Sequence, residues 1–231
     1  MKMTRSVSNL VAVLAAITVA LVLFASKITS GASRSNDGPV SAPAFDAQVT
    51  NGATEDTAVF AGGCFWGVEA VYEHVKGVKS VISGYAGGKG TSPSYEQVST
   101  GDTGHAESVE VIYDPSQVSY GKLLQIFFSV AHDPTQLNRQ GPDHGTQYRS
   151  AIFFRTPQQQ QVAESYIKQL TAAKTFSRPI VTQVAQLNGF YPAEEYHQNY
   201  LAQHPNQPYI VINDQPKVAA LKKQFPDSWQ N

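Results

Sequence analysis

The apolar pattern of the chain changes its period at Gly62-Gly63, and this change constrains the fold more than any other feature. The preceding run, Thr57–Ala61, has the composition of a β-strand. From Cys64 onward the apolar residues fall three and four positions apart, as on one face of a helix: Val68, Val71, Tyr72 and Val75. The sequence therefore predicts a strand, a glycine turn and a helix that begins at Cys64.

Similar patterns alternate along the rest of the chain. Further strands are predicted at 78–86, His105–Tyr113, Tyr148–Arg155, Pro179–Leu187 and Tyr209–Asn213. Further helices are predicted after Ser119, after Thr156-Pro157, at Ala193–Gln203 and at Lys217–Phe225. Because strands and helices alternate without an internal repeat, we expect a two-layer α/β fold.

Cys64 is the only cysteine of the chain, which excludes an internal disulfide and a zinc site made of cysteines. A helix N-terminus can lower a cysteine pKa from about 8.5 to about 3.5–7.5, so this position favours a reactive thiolate. Gly62 and Gly63 would let backbone N–H groups approach a ligand over the sulfur. A buried, unreactive thiol remains the alternative interpretation.

Three further residues bear on whether Cys64 is reactive or inert: Phe65, Trp66 and Glu107. Phe65 and Trp66 either pack in the core or line a pocket, and adjacent helical positions point about 100° apart, so at least one can face a pocket. Glu107 lies at the end of an apolar row with Val109 and Val111. Burial there would raise its pKa and suit a general acid, although a strand-end carboxylate can also reach water.

Composition excludes several classes of function. The net charge of −1 does not favour nucleic acid as a partner. The histidines lie in separate segments without the spacing of metal ligands, so we expect no metal site. A cysteine hydrolase or acyltransferase would need a histidine beside Cys64, and a non-enzymatic peptide-binding module would not need the thiol at all. The sequence leaves both of these alternatives open.

The N-terminal residues have a different character. Lys2 and Arg5 precede an apolar run, Leu10–Ala25, which indicates that residues 1–32 form a secretory signal peptide or an N-terminal membrane anchor. Residues 33–56 are rich in Ser, Pro, Ala, Gly and Asn and are predicted to be a flexible linker. The catalytic domain is then expected at 57–231, outside the cytoplasm, in a periplasmic or secreted location.

Four sequence blocks resemble one known family. GCFWG at 63–67, YEQVSTGDTGHAE at 95–107, GPDHGTQYRS at 141–150 and EEYHQNYL at 194–201 are similar to the A-type peptide-methionine sulfoxide reductases. The resemblance implies reduction of the S epimer of methionine sulfoxide, free or in oxidised proteins, to methionine. It also implies a ferredoxin-like α/β sandwich with a mixed sheet and extensions.

The same resemblance implies roles for individual residues. Cys64 matches the nucleophile, and Glu107 matches the acid that protonates the sulfoxide oxygen. Tyr95 and Tyr148 match hydrogen-bond donors to that oxygen. The substrate-binding residues implied are an apolar cradle for the methyl group and a pocket carboxylate: Phe65, Trp66 and Asp143.

The chain departs from many family members in one respect, because no resolving cysteine follows Cys64. The resemblance therefore implies the single-cysteine subtype, in which Cys64 becomes a sulfenic acid and an external thiol reduces it. A thioredoxin-like protein, a glutaredoxin and a small thiol remain alternative reductants. We expect no bound cofactor, and we expect a monomer.

Overall fold

The described residues of the computed structural model are 38–48, 52–90 and 92–231. They all belong to one compact unit, which spans Ala32–Asn231. The predicted signal peptide or anchor, residues 1–32, lies outside the described residues.

Six strands form a mixed sheet at the centre of this unit, and two short strands form a separate hairpin. The strands are β1 (Asp56–Gly62), β2 (Val78–Ala86), β3 (Ala106–Tyr113), β4 (Arg139–Gln140), β5 (Asp143–His144), β6 (Ser150–Phe154), β7 (Gln183–Gln186) and β8 (Phe190–Pro192). The order in the large sheet is β7-β6-β1-β3-β2-β8. β6 and β7 pair in parallel, whereas the other neighbours pair antiparallel. The predicted α/β fold with a mixed sheet is confirmed.

Helices follow most of these strands. They are α1 (Phe65–Glu73), α2 (Tyr95–Ser99), α3 (Tyr120–Ile126), α4 (Pro157–Ala172), α5 (Tyr200–Gln203) and α6 (Gln215–Gln224). The predicted N-caps are confirmed, since the hydroxyls of Ser119 and Thr156 accept from backbone N–H groups in the first turns of α3 and α4. None of the described helices is long and apolar enough to cross a lipid bilayer.

The strand predicted at Tyr209–Asn213 is wrong. A π-helical turn occupies Ile210–Asp214 and runs directly into α6. The run is rich in β-branched residues, which favours a strand. In the structure Ile210 is fully buried while Ile212 is exposed, so packing of one helical face overrides the local preference.

One row of side chains on β3 points toward α1. Val109, Val111 and Tyr113 belong to the main core, on the side covered by α1. Glu107 continues this row toward the start of α1 and is 3% exposed. The predicted shared face is therefore confirmed, and it places a carboxyl beside the first turn of a helix.

The segment 38–48 differs from the free linker that its composition predicts. Val40 is buried, its N–H donates to Ser129 Oγ, and its carbonyl accepts from Gln125. The Asp46 carboxylate accepts from the Ser119 hydroxyl and, at 2.7 Å, from the N–H of Gly121. These contacts hold the segment against α3, because it supplies an apolar side chain and acceptors that the helix start lacks.

Asp46→Ala is expected to lower the melting temperature by about 3 °C, because it removes acceptors from the start of α3. Loss of such a cap costs about 1 kcal/mol, which corresponds to about 2–4 °C in a domain of this size. Thermal unfolding followed by circular dichroism measures the effect. Asp102→Ala, at an exposed carboxylate, is the matched control. Equal melting temperatures for both variants and the unaltered protein would contradict a stabilising role for the segment.

Candidate active site

Cys64 lies at the N-cap of α1, directly after the glycine turn, as predicted. Gly63 has a φ of +92°, and a Cβ at this position would lie 2.5 Å from the Gln140 side chain. Glycine is therefore required there for both conformation and space. The thiol is free and 7% exposed.

The predicted lowering of the Cys64 pKa is wrong. Burial raises the pKa well above its ordinary value, and the nearby carboxyls of Glu107 and Asp214 raise it further. The backbone N–H of Trp66 and the Lys217 ammonium act in the opposite direction. Burial and negative charge disfavour a thiolate, and here they outweigh the helix N-terminus, so the resting group is a thiol.

Glu107 faces the same helix start from β3. Its Oε2 accepts the backbone N–H of Phe65 at 3.1 Å. Burial raises the pKa of Glu107 to about 8, with smaller contributions from Asp143 and Asp214, although the Phe65 N–H opposes the shift. The predicted raised pKa is confirmed, and the carboxyl is mostly protonated at neutral pH.

Tyr95 and Tyr148 approach this carboxyl from two other elements. Tyr95 begins α2, and Tyr148 ends a 3₁₀ turn, whereas the sequence predicted it in a strand. Burial raises the pKa of both hydroxyls, and the next contribution to both is the charge of Glu107. The two hydroxyls therefore stay protonated and can donate hydrogen bonds.

Phe65 and Trp66 take different positions, as the angle between adjacent helical residues predicts. Phe65 is buried against Tyr85 and His197. The half-buried Trp66 ring stacks on Tyr200, with ring centroids 3.7 Å apart and 7° between the planes. Trp66 is therefore the aromatic residue that continues from the core to the accessible edge of the site.

Asp143, in β5, closes the site on another side. Its Oδ2 accepts the hydroxyl of Tyr209, whose ring packs edge-on against Trp66 at 5.9 Å. The charge of Asp143 also reaches Glu107 and Tyr148. All seven residues predicted from the sequence are thus brought to one place.

Sequence reasoning missed the C-terminal part of the site. The His197 ring packs on Tyr95, and its Nδ1 accepts the indole N–H of Trp66 at 3.2 Å. Glu194 accepts both the Tyr85 hydroxyl and the Tyr95 N–H at 2.8 Å. The block EEYHQNYL is dense in aromatic and acidic residues, which could have indicated a place in the site. The sequence analysis assigns no function to individual residues of this block.

Histidines near the site have other partners than the thiol. His197 is bonded to Trp66, while His132 lies 2.7 Å from Ser150 Oγ and stacks on Phe127. These contacts do not favour a cysteine–histidine hydrolase. Within the described ranges, no group of three or more His, Cys, Asp or Glu side chains is arranged to hold a metal ion.

A buried thiol, a protonated carboxyl and two tyrosine hydroxyls thus meet beside an aromatic wall. This arrangement defines a thiol-dependent enzyme whose pocket accepts a small substrate group with one apolar end and one polar end. The family profile described as peptide methionine sulfoxide reductase matches residues 56–229. The chain belongs to this family and is an oxidoreductase that reduces methionine sulfoxide.

Curated relatives cover most of the chain. A peptide methionine sulfoxide reductase MsrA 2 from Mesorhizobium japonicum is 61% identical over 171 residues, which are 74% of this chain and 88% of the relative. The MsrA 2 protein of Synechocystis is 55% identical over 172 residues, 74% of this chain and 80% of the relative. Both identities are far above the level at which membership of a family is in doubt.

Solved structures share the fold. Methionine sulfoxide reductase A of Corynebacterium diphtheriae matches with a TM-score of 0.60 at 40% identity, covering 69% of this chain and 80% of that chain. Reduced Mxr1 from Saccharomyces cerevisiae matches with a TM-score of 0.60 at 34% identity, covering 68% of this chain and 89% of that chain. The mixed sheet and the helices around it are therefore those of this family.

Proposed function

We propose that this chain reduces the S epimer of methionine sulfoxide, free or in oxidised proteins, with Cys64 as nucleophile and Glu107 as acid. The hydrogen bond from the Phe65 N–H to Glu107 carries this proposal, because it holds the acid against the helix turn that presents the thiol. A sulfoxide needs a soft nucleophile at sulfur and a proton at oxygen. These two groups supply both.

The reaction balances as a two-electron transfer. The Cys64 sulfur attacks the sulfoxide sulfur and forms an S–S bond to it. The oxygen then moves to the Cys64 sulfur as the substrate S–O bond and the new S–S bond break, which leaves methionine and a Cys64 sulfenic acid. The Glu107 proton passes to the oxygen, and the thiol proton replaces it on the carboxyl. Methionine is the reduced product, and Cys64 is the oxidised group.

Tyr95 and Tyr148 stabilise the oxygen while it gains negative charge. Their hydroxyls face the Glu107 carboxyl and remain protonated, so they are donors in the transition state as well as in the substrate complex. Trp66 offers an apolar face for the substrate methyl group, with Phe65 packed behind it. Asp143, held by the Tyr209 hydroxyl, fixes the polar side of the pocket.

An external thiol completes the cycle. The chain has a single cysteine, so the sulfenic acid cannot form an internal disulfide. One thiol attacks it and releases water, and a second thiol releases the reduced Cys64 from the mixed disulfide. The reductant is a thioredoxin-like protein, a glutaredoxin or a small thiol, and we expect the enzyme to act as a monomer.

With dithiothreitol as reductant, the purified protein is expected to reduce the S epimer of methionine sulfoxide and to leave the R epimer unchanged. Chromatography of the methionine formed from each separated epimer measures this selectivity. Heat-denatured protein is the control for direct chemical reduction. Turnover of the R epimer in place of the S epimer would contradict the proposed function.

We also propose that residues 1–32 direct the catalytic domain out of the cytoplasm. The support is the apolar run Leu10–Ala25 preceded by Lys2 and Arg5. Mass spectrometry of the native N-terminus would distinguish a cleaved signal from a retained anchor. Recovery of the intact chain from the cytoplasmic fraction would contradict export.

A further inference from the structure

A buried ion pair on the C-terminal helix packs against the start of α1. Asp214 is fully buried, and its Oδ1 lies 3.0 Å from the ammonium of Lys217, whose side chain is 18% exposed. The other oxygen of Asp214, Oδ2, is also buried and has no hydrogen-bond partner among the described residues. The Lys217 ammonium therefore pairs with only one oxygen of the Asp214 carboxyl, and the other is buried without a partner in the described part of the chain.

The contact with Gly67 shows where this charge lies. A Cβ at Gly67 would lie 2.1 Å from Asp214 Oδ1 and 2.8 Å from Lys217 Nζ. Gly67 is the third residue of α1, and Cys64 is its N-cap. The backbone N–H of Trp66, the residue before Gly67, acts on the Cys64 sulfur, so Asp214 and the thiol lie at the same turn of α1.

The π-helical turn Ile210–Asp214 produces this approach. It adds a residue to the turn before α6, and Asp214 occupies its last position. Such turns occur frequently at functional sites because the extra residue redirects side chains. Both the π-helical turn and α6 contact α1. The ion pair therefore lies in the interface between α1 and the C-terminal segment.

We propose that Asp214 is a positioning residue that keeps Cys64 in its thiol form, and that Lys217 holds Asp214 in place as an ion pair. This inference rests on the proposed function only in taking Cys64 as the nucleophile. Asp214 acts through its charge at the start of α1 and does not touch the substrate.

Other ionisable groups also face Cys64. They come from β3, α2, a 3₁₀ turn and the residue before the π-helical turn: Glu107, Tyr95, Tyr148 and Tyr209. Asp143, in β5, faces Glu107 and Tyr148. The tyrosines are neutral, and Glu107 is mostly neutral below pH 8. Burial raises the pKa of Asp214 as well, but the Lys217 ammonium opposes this. Among the carboxyls that raise the Cys64 pKa, Asp214 is the one that forms an ion pair, with the Lys217 ammonium 3.0 Å from its Oδ1.

A protonated resting thiol is useful in a single-cysteine enzyme. Thiolates, and not thiols, are oxidised by hydroperoxides: the sulfur takes one oxygen, the O–O bond breaks, and hydroxide or water leaves. A second oxygen would give a sulfinic acid, which thiols do not reduce. A carboxylate that holds back the thiolate slows this loss of the chain's only cysteine.

Asp214→Asn tests the inference, because it keeps the shape of the side chain and removes its charge. The pH dependence of Cys64 alkylation by iodoacetamide is expected to shift to lower pH by about one unit, the lower end of the effect of a nearby charge. At pH 7.5, alkylation and oxidation by hydrogen peroxide then become about tenfold faster. Mass spectrometry follows both reactions at the single cysteine.

Asp227→Asn is the matched control, since it makes the same charge change at an exposed carboxyl beyond α6. Its alkylation profile is expected to equal that of the unaltered protein. The double variant Asp214→Asn, Lys217→Met replaces the ion pair with a neutral pair. It is included because Asp214→Asn alone leaves Lys217 without its partner, which can destabilise the fold. Its alkylation pKa should lie between those of the unaltered protein and Asp214→Asn.

An unchanged or raised alkylation pKa in folded Asp214→Asn would overturn the inference, with thermal unfolding as the check on folding. If only the double variant folds, an unchanged alkylation pKa in that variant overturns it equally. The turnover of methionine sulfoxide by the unaltered protein separates this outcome from failure of the proposed function. Turnover with an unchanged pKa refutes the role of Asp214 alone, whereas a lowered pKa without turnover refutes the proposed function alone.

Discussion

Cys64→Ser is expected to lower the turnover of the S epimer of methionine sulfoxide by at least about 1,000-fold, because a hydroxyl does not replace sulfur as a soft nucleophile. The site should otherwise remain intact. Serine is close in size to cysteine, and the Trp66 N–H that faces the thiol can serve a hydroxyl equally well. The methionine formed per unit time with excess dithiothreitol is the measurement.

The same variant separates the enzyme from the two other interpretations of the sequence. A peptide-binding module would keep its activity without the thiol. A hydrolase would form an acyl-enzyme on Cys64, whereas the reductase forms a sulfenic acid, which dimedone labels and mass spectrometry detects. Binding of a methionine sulfoxide peptide to Cys64→Ser should be retained, and loss of folding is checked by thermal unfolding. Turnover equal to that of the unaltered protein would exclude Cys64 as the nucleophile.

Glu107→Gln is expected to lower kcat by about 10²- to 10⁴-fold, the usual contribution of a positioned acid. The amide keeps the size of the side chain and can accept the Phe65 N–H, but it cannot transfer a proton. We therefore expect KM to change much less than kcat. Initial rates against substrate concentration separate the two effects.

The pH profile makes this prediction sharper. Glu107 must be protonated to act as the acid, and its pKa is raised to about 8. Turnover of the unaltered protein should therefore fall as the pH rises through about 8, and the residual activity of Glu107→Gln should lack this limb. Glu110→Gln, a half-buried carboxyl on the same strand, is the matched control and should keep the full profile. An unchanged kcat for Glu107→Gln would exclude the acid role.

Local signals were sufficient for the centre of the site. Two glycines and a change of period located the turn at Cys64, and an alternating strand placed Glu107 on a buried face. Both features depend on neighbouring residues, which the sequence shows directly. The roles of Tyr95, Tyr148 and Asp143 came only from family resemblance, because nothing local distinguishes them from other surface and loop residues.

Long-range contacts explain what could not be predicted. The Cys64 pKa was expected to be lowered because only the helix N-terminus was visible in the sequence. Its actual direction depends on burial and on carboxyls from β3 and the C-terminal helix. Asp214 and Tyr209 were missed for a related reason, because their segment has strand-like composition yet forms a helical turn. Tertiary packing decided both cases, and a single sequence does not display it.

The hydrogen bond between Trp66 and His197 joins residues 131 positions apart. The site is therefore complete only after the C-terminal part of the chain has folded onto it. Contacts between distant parts of a chain close late in folding, and chains fold from the N-terminus as they are made. The thiol is therefore synthesised well before the aromatic rings and the carboxylate that cover it. A folding intermediate that lacks the docked C-terminal third exposes a cysteine that the finished protein hides.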